Sequence, residues 1–433
     1  MITPTDAPIT PLDNSTLYWV VVAGILIFFM QAGFCLLELG FSRSKNCLNI
    51  VMKNLLDICI STVFFYLVGF GLMFGPSIAG FVGEGPFVPN KTSVIYGQTM
   101  DSTSPAWTFW FFQAMFVGTA VTIASGAMAE RTKFIGYLVY CVLISAILYP
   151  IIGHWCWNGT VGEAFLGSSD SAGWLAKMGF EDFAGSTVVH TVGGACALAG
   201  ILVVGPRCGR FLPDGSSRLI VGHNIPLAAL GTFILWFGWY GFNGGAAMIA
   251  DTTIGRILVA TTLAAAMGAT SSSISMWIHL GRPDPAIAYN GCLGGLVSVT
   301  ACCHVVQPGH ALLIGTIAGL ISTYGSIAEE KLKIDDVVGA IPVHLLNGIW
   351  GTLCVAIFNE SGFDLKMVYV QALGALVCAG TAFIGAYLIF TVIDITVGLR
   401  VPDIEQQEGL DFHEHCASAY PEFQVAEQDD GTT

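Results

Sequence analysis

Charged side chains make up only 11% of this 433-residue chain, against about 25% in a soluble domain. So few charges cannot hydrate the surface of a soluble protein this large, whereas lipid as solvent removes the need for them. Basic residues are the scarcer kind, with 16 Lys and Arg against 30 Asp and Glu. None falls in the first 16 residues, so the basic start of a cleavable signal peptide is missing and the apolar run from about Leu17 is expected to be a true span. Among 13 cysteines there is no CxxC pair, and Cys35, Cys59, Cys141 and Cys196 stand inside apolar runs. They read as small buried hydrophobes rather than a disulfide framework. No phosphate-binding Gly-x4-Gly-Lys loop is present, which argues against ATP-driven pumping within this chain. No Lys lies deep in an expected span, which argues against a retinal Schiff base.

What is abundant is apolar: 54% of residues are hydrophobic, 52 are Gly, and the mean hydropathy is +0.71. Gly at this level suits helices packed closely in lipid. Segments long enough to cross a hydrocarbon layer of about 30 Å fall near 17–40, 54–75, 106–128, 134–153, 183–204, 224–247, 253–278, 286–303, 309–328, 337–358 and 367–396. The expectation is an all-α integral membrane protein with 11 transmembrane helices. Charge asymmetry supports the count. With the N-terminus outside, the cytoplasmic segments hold Arg43, Lys45, Lys53, Arg131, Lys133, Arg207, Arg210, Arg218, Arg282, Lys331, Lys333 and Arg400. The external ones hold Lys91, Lys177, Arg256 and Lys366, so basic residues concentrate inside. The expected parts are an external segment 1–16, a transmembrane domain 17–398 and a cytoplasmic tail 399–433. Nine acidic residues between Asp403 and Asp430 make that tail a solvated segment, with no nucleic-acid surface.

Ionisable groups inside spans are costly and mark function, and His190 and His344 are the two candidates. Val189-His190-Thr-Val-Gly193-Gly194 echoes Val343-His344-Leu-Leu-Asn-Gly348, as an inverted 5+5 repeat plus one helix would give. Such a repeat would bring the two imidazoles together, one donating and one accepting. The alternative is two unrelated histidines, each bonded to a backbone carbonyl. Phe112 and Phe116 stand four apart on one helix face. Trp157 follows the fourth span and Phe242 ends the sixth. Such aromatics are either interfacial anchors or a cation–π cage. Asp182 reads first as a helix cap, and also as negative potential at a cation entrance.

Several motifs resemble those of the ammonium transporters (the Amt/Mep/Rh family), and the Amt branch in particular. They are Phe112-Gln-Ala-Met-Phe116, Gly126-Ala-Met-Ala-Glu-Arg131, Asp182 to His190, Trp239-Tyr-Gly-Phe-Asn243, Asp335 to His344, and the tail runs Gly409 to His415 and Ala419-Tyr-Pro421. The likeness runs from about residue 18 to 423. It implies a homotrimer in the cell membrane with one pore per subunit. Ammonium or ammonia would be the substrate and methylammonium an analogue. It implies a recruitment site at Phe116, Trp157 and Asp182, a gate of Phe112, Phe116 and Phe242, and a pore lined by His190 and His344. A nitrogen-regulatory signal protein at the tail is the partner that bacterial members suggest, and no cofactor or metal is implied. Two positions depart from the pattern. Ala246 stands where the family usually has Ser in the recruitment site, and losing that hydroxyl is expected to weaken recruitment roughly 2- to 30-fold. Cys416 stands where a Gly is usual in the tail and serves a tight turn. His413-Glu-His415-Cys416 belongs to this tail motif rather than to a metal site.

Magnitudes shape the expected mechanism. A bare ammonium ion in an apolar pore costs tens of kcal/mol in lost hydration, and one cation–π contact returns about 0.5–2 kcal/mol. The expectation is therefore NH4+ recruitment, deprotonation, passage of NH3 and proton relay through the histidines. An ammonium sensor signalling through the tail, and an electroneutral gas channel of the Rhesus type, are the rivals. No nucleophile–base set outside the pore candidates suggests an enzyme.

Overall fold

The computed structural model describes residues 13–161, 163–166 and 171–423. The first twelve and last ten residues, which include most of the expected external segment and the end of the tail, lie outside it. The main elements are helices: α1 (Asn14–Phe41), α2 (Ser44–Phe74), α3 (Ala106–Ala127), α4 (Phe134–Trp157), α5 (Ser186–Val204), α6 (Ile225–Ala246), α7 (Thr253–Leu280), α8 (Pro285–Thr300), α9 (Pro308–Leu332), α10 (Ile341–Ile357) and α11 (Leu365–Thr396). Among the described residues nine of these are long and apolar enough to cross a membrane. The exceptions, α8 and α10, are 16 and 17 residues long and coincide with the expected spans at 286–303 and 337–358.

The helix starts are written in the sequence. Asp13, Asn224, Asp284 and Asp364 each accept a backbone N–H from the first turn of α1, α6, α8 and α11, satisfying donors that a helix start otherwise leaves bare. Pro occupies the first turn of α6, α8, α9 and α10, where its missing N–H costs nothing. Glycines set the packing distance. A Cβ on Gly268 of α7 would lie 2.1 Å from Gly291 O of α8, and one on Gly295 would lie 2.2 Å from Ala264 O. The outer surface carries Phe233, Ile278 and Leu376, each more than 60% exposed, which lipid accommodates and water does not.

Helix α2 starts ten residues before its expected span. Asn49 and Lys53, expected in a loop, lie inside the helix and are buried. Lys53 Nζ donates to Thr132 O at 3.1 Å, and the Asn49 backbone N–H donates to Asp411 Oδ1 at 2.9 Å. The latter partner belongs to the tail, which folds back against the α1–α2 junction. Leu410 N–H donates to Asn46 Oδ1 at 3.0 Å, Lys45 Nζ donates to Gln406 O at 2.8 Å, and the His415 ring packs edge-on to Phe134. Cys416 ends this segment at φ +51°, ψ +37°, a left-handed conformation that a Gly adopts without the Cβ penalty.

Candidate functional site: a pore with two mouths

A column of rings runs through the helix interior. Trp157, at the end of α4, meets Phe116 of α3 edge to face, with centroids 5.7 Å apart at 88°. Phe116 in turn meets Phe242 of α6 at 4.4 Å and Phe112, one turn away, at 4.9 Å. Below Phe242 lies the His190 imidazole, 5.4 Å away and nearly parallel. His190 then faces His344, with Nδ1 to Nδ1 at 3.2 Å. One ring must donate that hydrogen and the other accept it. Both are buried, and His190 Nε2 has no partner among the described residues. The structure thus brings Phe112, Phe116, Trp157, Phe242, His190 and His344 together.

The Trp157 mouth opens into a cavity of about 330 Å3 walled by Trp157, Glu181, Asp182, Phe183, Ala246 and His304, among others. Asp182 and Ala246 are therefore both at this mouth. Trp157 Nε1 donates to Asp182 O at 2.7 Å, fixing the indole. The Asp182 carboxylate accepts N–H groups from Gly185, Thr187 and Val188 at 3.0, 2.9 and 2.8 Å, so the capping role is met. Burial pushes this carboxyl up to about 6, against the pull of those N–H donors. His304 stacks on Phe183 at 4.2 Å. Burial, with the Arg256 charge adding to it, holds its imidazole down at about 4, so the ring is neutral at working pH.

Why the two histidines meet is clear from the turns ahead of them. Asp336 stands eight residues before His344, as Asp182 does before His190, and both stretches read Asp-x-x-Gly-x-x-x-Val-His. The Asp336 carboxylate accepts N–H groups from Val338, Gly339 and Ile341 at 3.2, 2.9 and 2.8 Å. Gly185 and Gly339 both take positive φ, +114° and +79°. Each turn then opens into a π-helical segment, Ser186–Thr191 and Ile341–Leu346, a rare geometry often found at functional sites. Each π-turn carries its His inward.

Sequence reasoning passed over several residues here. Trp239 stacks on His190 at 5.0 Å and donates from Nε1 to Thr300 Oγ1 at 2.8 Å. The motif Trp239-Tyr-Gly-Phe-Asn243 marks the position but gives it no role. Glu38 and Asp57 were legible by the rule that exposed the histidines, since both sit in apolar helices. Glu38 accepts from Asn54 Nδ2 at 3.0 Å and lines a small cavity beside His344. Asp57 accepts from Cys141 Sγ at 3.3 Å.

Comparison with known proteins places this geometry. The Ammonium Transporter Family profile matches residues 18–420. Ammonium transporter Amt2 of Archaeoglobus fulgidus is 42% identical, over 98% of this chain and 91% of its own. Ammonium transporter Amt1 of Haloferax mediterranei is 39% identical, over 94% and 79%. Among solved structures, a sensor Amt protein superposes with a TM-score of 0.86 at 41% identity, covering 93% of this chain and 98% of that one. Mep2 of Candida albicans superposes at 0.80 with 25% identity, covering 91% and 88%. On this evidence the chain belongs to the ammonium transporter family and is a multi-pass protein of the cell membrane.

Proposed function

We propose that the protein recruits NH4+ at the Trp157 mouth, removes its proton there, and passes NH3 down the pore while His190 and His344 relay the proton. The observation that carries this is the 3.2 Å contact between two buried imidazole Nδ1 atoms directly below the ring column of Phe116 and Phe242. Two facing imidazoles can hand a proton from one ring nitrogen to the other, whereas a dehydrated cation in the same space costs tens of kcal/mol. Trp157, Phe116 and Asp182 recruit, with Ala246 leaving the hydroxyl position empty. Phe112, Phe116 and Phe242 gate. Potassium has no proton to give and is refused at that step. In this reading eleven helices cross the membrane, the N-terminus and the Trp157 mouth face outward, and the tail faces the cytoplasm, open to a nitrogen-regulatory signal protein. The paired Asp-to-His turns support an inverted repeat, and three chains assemble with one pore each.

The test is current recorded on a solid-supported membrane carrying proteoliposomes, with ammonium pulsed against potassium. A saturable current with ammonium alone is expected, and His190→Ala should abolish it. Wild-type current in His190→Ala, with potassium still excluded, would sink the relay. The likeness to a sensor Amt protein favours one second reading, an ammonium receptor with little flux. It takes first place if ammonium binds in calorimetry yet drives no current.

A further inference from the structure

The mouth opposite Trp157 holds a cavity that the transport reading leaves unused. It measures about 190 Å3, and its walls include Asn290, Glu329, Asp336, Val338 and Gly339. Asn290, Val338 and Gly339 also wall the cavity of about 10 Å3 beside His344, so these residues divide the pore from this outer space. Glu329 lies near the end of α9 and is 9% exposed, and its Oε1 has no partner among the described residues. Asn290, 5% exposed, spends its Nδ2 on Val338 O at 3.0 Å and leaves Oδ1 unpartnered. The Arg210 guanidinium at this wall is committed elsewhere, to Glu330 and Asp335. Two buried acceptors therefore wall a cavity with room for several waters, and the carboxylate between them has no cation partner among the described residues.

Glu329 also meets the Asp336 carboxyl, so two acids share this wall without a cation among the described residues. Burying them is costly, and either a shared proton or a small cation in the cavity would offset that cost. The placement repeats that of the other mouth. Asp336 stands to His344 as Asp182 stands to His190, so this space is the counterpart of the 330 Å3 cavity at Trp157. We propose that Glu329 and Asn290, with Asp336 behind them, form a second site for a small monovalent cation of ammonium size at the mouth opposite Trp157. Ammonium as its natural occupant rests on the transport reading; the site itself rests on the cavity and its unpartnered oxygens.

Crystals of the full chain soaked in thallium(I), located by anomalous scattering, test this. A peak within about 3 Å of Glu329 Oε1 is expected, the normal reach of a polar contact. In Glu329→Gln that peak should need about tenfold or more thallium for equal occupancy, as losing a charged acceptor implies, and the Trp157 peak should be unchanged. Asn290→Ala should weaken the same peak by a smaller factor. A peak at Trp157 alone, or a peak in Glu329→Gln crystals equal to that of wild type, overturns the inference and leaves recruitment standing. A peak at Glu329 without one at Trp157 supports the site and counts against the recruitment reading. No peak at either mouth overturns both.

Discussion

At the residue scale the entrance carries two carboxyls, Glu181 and Asp182. Burial raises both, Asp182 to about 6, so the mouth loses negative charge as pH falls through that value. Apparent ammonium affinity should therefore fall as pH drops through about 6, by about tenfold for one charge lost about 12 Å from the cation at an effective dielectric near 20. Half-saturating ammonium measured from about pH 5 to about pH 8 checks this, and Asp182→Asn should flatten the profile. An unchanged wild-type profile would remove Asp182 from recruitment. The histidines were legible in the sequence because so few ionisable side chains interrupt its apolar runs. Glu38 and Asp57 obeyed the same rule and lay nearer the helix ends expected from hydropathy, where acids are ordinary. Asp336 stood in plain view, and its equivalence to Asp182 was legible in the shared Asp-x-x-Gly-x-x-x-Val-His pattern; what the pattern does not say is that both carboxylates gather the N–H groups of a turn.

At the element scale the helices followed from hydropathy, each starting within four residues of expectation except α2. Asn49 and Lys53 read as loop residues because their buried partners, Asp411 and Thr132, are remote in sequence. Likewise the π-turns leave no periodic signature. Their start depends on Gly185 and Gly339, where the backbone is left-handed and the space is full. A Cβ at Gly185 would lie 2.6 Å from Val189 Cγ2, and one at Gly339 would lie 2.3 Å from Asn290 Nδ2. Gly185→Ala should cost about 1–3 kcal/mol, read as a lower unfolding temperature in detergent. It should also reduce current, because Val189 adjoins His190. An undisturbed unfolding temperature would mean that the turn tolerates a side chain.

On the scale of the whole molecule, the loops at the end opposite Trp157 are tied by buried charges. Arg207 pairs with Asp335 at 2.8 Å and with Glu130 at 3.4 Å, while Arg131 Nη2 donates to Asp335 O at 2.6 Å. Burial alone would raise the Asp335 carboxyl, but Arg207 and Arg131 outweigh it and hold the group well below the usual carboxylate range. Its contribution is thus complete above the ordinary carboxylate pKa and is lost only as pH falls through the lowered value. Asp335→Ala leaves Arg207 buried beside Glu130 alone and should cost about 3–5 kcal/mol, measured as the unfolding midpoint at neutral pH. A shift within error would show that water reaches Arg207. The paired turns at Asp182 and Asp336 carry a larger consequence. Both ends of the pore are built on the same nine-residue pattern, each handing a histidine to the centre. Every position in one turn therefore has a twin in the other, so a substitution made at one end can be matched at the other and the two variants compared.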